Sequence, residues 1–252
     1  MSNFKFQISR FNGASYIDFN RPEEGNALTR GMMFELANVL RIEGSDRSNK
    51  LVILSGRGDF FCKGRDGKGE SRDGMTPYEI RVNMMGAVLD VYKALADVPV
   101  PVIAKVHADA VGFGAAVAVA CDITLASDAA VFSFPEIEHD IPPTMAMCAA
   151  LGKIPAKALS YLIYSAEEVD STQVVSLGIA SKVFEQQSFE ADCQKFIDRL
   201  SQKPRLVLET IKKYQDKASQ LSPDMASEYA GTLLALVRSW DIEEKLKSFL
   251  GL

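Results

Sequence analysis

The chain has 252 residues, 47% of them hydrophobic and 24% charged, with 28 lysines and arginines against 33 aspartates and glutamates. This composition excludes a disordered or collagen-like chain and supports one or two domains with a sizeable core. A net charge of −5 argues against broad binding to nucleic acid or a membrane surface, while leaving room for a local basic patch.

Phe4–Ser9 and Ala14–Phe19 alternate and are split by Asn12-Gly13, which predicts a β-hairpin. Asn20-Arg21-Pro22 ends the second strand. Apolar residues at helical spacing (Met32, Leu36, Val39, Leu40) predict a helix over 29–42, with Thr29 as N-cap. Leu51–Leu54 reads as a short strand closed by Ser55-Gly56-Arg57-Gly58. Residues 62–74 mix glycines with charges and read as a loop. Tyr78–Ala96 is an amphipathic helix, Pro101–Val106 a strand and Gly112–Cys121 a helix of small residues. Ile123–Ala126 and Ala130–Phe134 add short strands. Strands alternate with helices to about residue 185, which implies α/β layering. Beyond that the pattern is helical: Phe189–Ser201, Arg205–Ala218, Asp224–Trp240 and Asp241–Phe249.

The cysteines are Cys62, Cys121, Cys148 and Cys193, with no C-x-x-C, and the histidines are His107 and His139. No metal site is expected, and free thiols in a reducing, cytoplasmic setting are. The N-terminal MSNFKFQISRFNG has no apolar signal core, so secretion is not expected. The apolar stretch Val98–Leu125 is interrupted by Lys105, His107, Asp109 and Asp122, and reads as buried strand, turn and helix rather than a membrane span.

Two glycine turns follow strands and suit an anion. Phe60-Phe61-Cys62-Lys63-Gly64-Arg65-Asp66 lets the backbone approach a ligand. Val111-Gly112-Phe113-Gly114-Ala115-Ala116 opens a helix, where free N–H groups and the positive dipole end meet. The second turn superficially matches a dinucleotide fingerprint, but Val117 takes the third glycine's place and no acidic residue follows at the required distance. Phe132-Ser133-Phe134-Pro135-Glu136-Ile137 sets a lone carboxylate among apolar groups. Burial there would raise its pKa toward the range of an efficient general base, whereas a solvent-facing Glu136 would be inert.

Together these segments resemble the enoyl-CoA hydratase/isomerase (crotonase) superfamily. The resemblance rests on Asn20-Arg21-Pro22 with Asn26-Ala27-Leu28, on Val52–Gly58 with Phe61-Cys62-Lys63-Gly64-Arg65-Asp66, on Lys105-Val106 through Gly114, on Cys121-Asp122, on Phe134-Pro135-Glu136 and on Gly178–Val183. It implies an α/β fold, a spiral of ββα turns over residues 1–195, with a helical region at 196–252 that drives a homotrimer or a dimer of trimers. It also implies an acyl-CoA ligand, coenzyme A entering only as part of the substrate, with no metal or other cofactor; from the acidic charge and the interrupted apolar stretch, no nucleic acid and no membrane are expected as partners.

Carried over by position, the backbone N–H groups of Arg65 and Phe113 hold the thioester oxygen as it becomes an enolate. Cys62, Lys63, Gly64, Asp66, Gly67, Lys68, Gly112 and Gly114 line the substrate channel, and Lys63, Arg65 and Lys68 are candidates for the CoA phosphates. Family hydratases use two glutamates. One position is Ala116 here and the other is retained as Glu136. A single carboxylate suits proton transfer between C2 and C4, which points to an isomerase. The alternatives are a hydratase or hydratase-lyase acting on a bulky acyl-CoA, with His139 or Asp140 as a second acid or base, and a non-catalytic acyl-CoA binder. Ile141-Pro142-Pro143-Thr144 replaces the family's glycine-rich turn.

Overall fold

Asn12 and Gly13 both adopt positive φ (50° and 76°), the backbone that a two-residue hairpin turn requires. They join β1 (Phe6–Phe11) to β2 (Ala14–Phe19) with Phe11 opposite Ala14. The first strand therefore lies two residues later than the alternation predicts, because the tight turn fixes the register. The computed structural model describes residues 5–71 and 73–250, and side chains up to 240. Phe4 lies outside the described residues.

β2 continues into a parallel series of β3 (Leu51–Gly56), β4 (Val102–Val106), β6 (Ile123–Ser127) and β8 (Lys182–Phe184), giving the order β1-β2-β3-β4-β6-β8. β2, β3, β4 and β6 are each followed by a short extended segment in a second ladder. There Leu28 pairs with Arg65 and Cys62 with Ala110. β5 (Ala110–Val111) pairs with β7 (Phe132–Ser133), and Phe132 with Val169. The chain then enters a helix before rejoining the main sheet. This is the ββα spiral that the resemblance implies.

Thr29 caps α1 (Arg30–Ser45) by accepting from the Met32 N–H. The predicted helix at 78–96 is a continuous segment built from α2 (Pro77–Ile80), a π-helical turn (Arg81–Met85) and α3 (Gly86–Asp97). Such π turns open the helical ladder and commonly border ligand sites. α4 (Phe113–Ala120) is almost wholly buried. α5 (Thr144–Ala150) and α6 (Ala156–Ser165) fall where no helix was predicted.

Alternate residues of the sheet feed two cores. Val52, Leu54, Val102, Ala104 and Val106 face α1, α3 and α4. Leu51, Ile53, Ile103 and Leu125 face α7 (Phe189–Ser201) and the start of α8 (Arg205–Ala218). The dividing line at 195/196 thus falls inside α7. α8 is pinned to the body by Lys212, whose buried ammonium donates to Leu95 O, to Val100 O and to Asp122, the last at 2.8 Å. α9 (Pro223–Leu250) is one 28-residue helix, with no break at Trp240–Asp241. Polarity there shifts without any Pro or Gly to end a helix.

Candidate active site

The first glycine turn is locked by polar contacts from residues that do not line the cavity described below. Asn26, in a left-handed conformation and fully buried, donates to Arg57 O (2.8 Å) and Phe60 O (2.7 Å) and accepts from the Arg21 N–H. Arg21 in turn grips Asp66 at 2.7 Å and Ala27 O at 3.0 Å. The paired guanidinium holds the Asp66 carboxyl below its ordinary pKa, helped by the Lys68 N–H. Cys62 Sγ donates to Asn26 O and accepts from the Gly64 N–H. Burial pushes its thiol up to about 12, so it is a structural thiol rather than a nucleophile. Asp66 and Cys62 therefore shape the turn from behind.

Leu28 bonds on both sides of Arg65: its N–H donates to Gly64 O and its carbonyl accepts from the Asp66 N–H, each at 2.9 Å. In a parallel bridge this leaves Arg65's own N–H directed to the opposite side. The second turn lies there. A Cβ at Gly64 (φ 97°) would sit 2.8 Å from Val111 O and 3.3 Å from the Phe113 nitrogen. The two turns are thus in backbone contact.

Gly112 has φ 53° and ψ −118°, and its N–H donates to Ser133 O. That kink starts α4 at Phe113. The first helical N–H groups have no intrahelical acceptor, and Ala116 N–H makes the first bond, to Gly112 O. Among the described residues, neither Arg65 N–H nor Phe113 N–H donates to a protein acceptor. Gly114 has a packing role: a Cβ there would lie 2.1 Å from Cys62 O. Ala116 is sealed in the core.

Glu136 enters from β7. Phe134 and Pro135 end the strand, and Glu136 falls in the first turn of a 3₁₀ helix, Pro135–His139. Its Oε1 is 3.3 Å from the Cβ position of Gly112, so the missing side chain at Gly112 makes space for the carboxylate. Oε2 is buried and has no hydrogen-bond partner among the described residues. Desolvation raises the carboxyl's pKa against one backbone hydrogen bond that lowers it.

A cavity of about 680 Å³ joins these parts. Gly64, Arg65, Gly112, Phe113, Glu136 and His139 line it, as do Lys63 and Gly67. Cys62, Asp66, Lys68, Gly114 and Asp140 do not. Lys68 is exposed and paired with Glu24 at 2.8 Å. The Lys63 ammonium stands 3.8 Å over the Phe60 ring. Arg65's guanidinium pairs with Glu70, which also lines the cavity, while its Nε is buried without a partner among the described residues. Asp140 takes positive φ and caps the 3₁₀ turn through its backbone. His139 is exposed at the rim, and His107 bonds Gly58 O away from the cavity.

Another part of the wall comes from the π turn and α3: Met84, Met85, Val88 and Tyr92. Sequence reasoning missed these residues because their helical spacing is that of an ordinary core stripe. The π turn, which sets Met84 and Met85 at the cavity, has no sequence signal of its own. Among the described residues no three His, Cys, Asp or Glu side chains gather to hold a metal ion, and no helix is long and apolar enough to cross a membrane.

Known proteins resemble this chain in sequence and in fold. The family model described as "Enoyl-CoA hydratase/isomerase" matches residues 10–250. The mitochondrial enoyl-CoA hydratase domain-containing protein 3 of Xenopus laevis is 26% identical over 96% of this chain and 82% of its own length. The 2,3-dehydroadipyl-CoA hydratase of Escherichia coli (strain K12) is 28% identical over 70% of this chain and 68% of its own. Among solved structures, human enoyl Coenzyme A hydratase domain-containing protein 3 superposes with a TM-score of 0.89, covering 98% of both chains at 20% identity, a likeness of fold. With a family model that spans nearly its whole length and the same fold in solved structures, the chain belongs to the enoyl-CoA hydratase/isomerase family.

Proposed function

We propose that the chain is an enoyl-CoA isomerase that uses Glu136 as its single acid/base. The observation that carries this reading is one half-buried carboxylate, with an unpartnered oxygen, beside two adjacent turns that each offer one N–H, of Arg65 and of Phe113, without a protein acceptor among the described residues. The thioester oxygen of a 3-enoyl-CoA accepts from Arg65 N–H and Phe113 N–H. Glu136 takes a proton from C2, and the C2–H electrons form the enolate. The enolate pair then returns to make the C2=C3 double bond while the C3=C4 pair takes the proton from Glu136 at C4. Each preorganised donor is worth about 3–4 kcal/mol in the transition state. Ala116, in the core, offers no second carboxylate.

A second reading is hydration or hydratase-lyase chemistry on a bulky acyl-CoA. His139 at the cavity rim and the hydratase names of the relatives favour it. Coenzyme A enters as part of the substrate, and no further cofactor is assigned. We place the chain in the cytoplasm on its unpaired thiols; the mitochondrial name of the Xenopus relative marks the competing compartment.

The test is to incubate the protein with 2-enoyl-, 3-enoyl- and aromatic acyl-CoA esters in heavy-oxygen water and read products by mass spectrometry. The isomerase reading expects a shifted double bond with no oxygen label. Labelled 3-hydroxyacyl-CoA as the main product would replace it with the hydratase reading, and intact binding without turnover would leave a non-catalytic binder.

A further inference from the structure

Among the described residues two buried side-chain polar atoms have no hydrogen-bond partner, Glu136 Oε2 and Arg65 Nε, and both belong to residues that line the cavity. The reading of Glu136 as acid/base gives the first a task. The second has none, because that reading uses only the backbone N–H of Arg65. A buried donor left unmet costs free energy, and one kept at a cavity marks the place of a ligand acceptor.

The Arg65 guanidinium is held in place by its own loop. Asp66 accepts from the Lys68 N–H at 3.0 Å, Gly69 takes a φ of 79°, and the Glu70 N–H donates to Gly67 O at 3.1 Å. The chain thereby doubles back and sets the Glu70 carboxylate on Arg65 Nη2. The contact runs through Nη2 and Glu70 Oε2, so Nε is not used. Among the described residues no other side chain bonds the Glu70 carboxylate. The two side chains are only 21% and 18% exposed, so the pair stands largely out of solvent on the cavity wall.

A hydrocarbon chain packed against this pair would seal off an ion pair with one donor unmet, which is unfavourable. A carboxylate would bring a like charge to Glu70 and to Glu136 in the same cavity. A neutral hydroxyl answers both groups: its oxygen accepts from Arg65 Nε and its hydrogen donates to Glu70. We propose that Arg65 and Glu70 together determine specificity for the acyl chain, selecting a CoA ester with a neutral hydroxyl at C5 or beyond. The position follows from the chemistry, since C1 is the thioester carbon and the double bond moves among C2, C3 and C4. A 3-enoyl-CoA can carry such a hydroxyl unchanged through isomerisation. The inference rests on the acyl-CoA reading of the cavity.

The test measures dissociation constants by calorimetry for a saturated eight-carbon acyl-CoA, for its 5-, 6-, 7- and 8-hydroxy forms and for the ester of equal length ending in a carboxylate. The proteins are the wild type, Arg65→Met and Glu70→Gln. The wild type is expected to bind at least one hydroxylated ester about tenfold more tightly than the plain one, the scale of one hydrogen bond to a charged group. Arg65→Met keeps the backbone N–H and much of the side chain's length, and is expected to bring that ratio within twofold. In Glu70→Gln the guanidinium loses its counter-charge, so the carboxylate ester is expected to gain about tenfold relative to the plain one. Equal affinities for all esters in the wild type overturn the proposal, as does a hydroxyl preference that survives Arg65→Met. So does a carboxylate affinity unaltered in Glu70→Gln. Failure of every CoA ester to bind removes the acyl-CoA reading as well. The acid/base reading is scored apart, by turnover of a plain 3-enoyl-CoA in Glu136→Gln.

Discussion

Glu136 is poised by what it lacks. One carboxylate oxygen is buried without a partner among the described residues, and the neighbouring Gly112 has no side chain to cover the other. Desolvation therefore favours the neutral acid in the folded state and raises its pKa above the ordinary 4.5. Two expectations follow with opposite signs. Catalysis needs the ionised base, so the acid limb of the kcat/KM profile lies above the ordinary carboxylate range; a limb at or below 4.5 would contradict the burial argument. Stability runs the other way. A raised folded pKa contributes stability that is fully present below the unfolded pKa and is lost as pH rises through the folded one. Above its folded pKa the charged Glu136 is a liability, so there Glu136→Gln raises Tm, and the gain disappears at pH values below the unfolded carboxyl's. Thermal scans of both proteins across that range check it. Gly64 makes a third case. Its φ of 97° and the 2.8 Å approach of a Cβ to Val111 O leave no room for alanine. Gly64→Ala is expected to lower kcat about 100-fold by separating the two N–H groups, the usual effect of losing one oxyanion donor. A kcat unchanged in a folded variant would sever the link between the two turns and catalysis.

Elements show how far local pattern reaches. α7 and α8 match the sequence reading to the residue, because Pro204 and the loop at 202–204 punctuate two strongly amphipathic stretches. β1 shifts because the hairpin turn, not the alternation, fixes its register. α5 and α6 escaped notice since Pro142-Pro143 reads as a loop, and the helices that follow gain their order from packing on the body. The break expected at Trp240–Asp241 is absent, as composition alone cannot end a helix. The helical region is held through α8. Lys212 is buried and shares Asp122 with the Val102 N–H at the start of β4. Lys212→Ala strands that carboxylate and two carbonyls. Its expected cost is about 3 kcal/mol, the scale of breaking a buried pair by removing one partner. Chemical denaturation measures it, and a change under 1 kcal/mol would mean that α8 is held by its apolar contacts alone.

At the scale of the molecule, the acidic total hides the site. The chain's net charge is −5, but the groups we propose to face the anion are backbone N–H donors that no composition reveals. The motifs made both turns and Glu136 legible, since glycine and Phe-Pro-Glu patterns mark backbone conformations. The cavity wall was not legible, because Met84, Met85 and Tyr92 look like core from their spacing. Helices α8 and α9 leave Ile211, Met225, Leu234, Leu236 and Trp240 exposed. We expect this apolar surface to be covered by neighbouring copies in a homotrimer or a dimer of trimers. Light scattering after size exclusion should give about 83 kDa, three times the 27.6 kDa chain, or twice that; a monomer mass would refute the assembly.

The central claim is that one carboxylate moves the proton. Its most direct measurement is turnover of a 3-enoyl-CoA by the wild type and by Glu136→Gln, with thioester affinity measured on both. The expected result is double-bond migration by the wild type only, with turnover reduced about a thousandfold or more in the variant and CoA-ester binding kept. Migration at an undiminished rate in Glu136→Gln would contradict it.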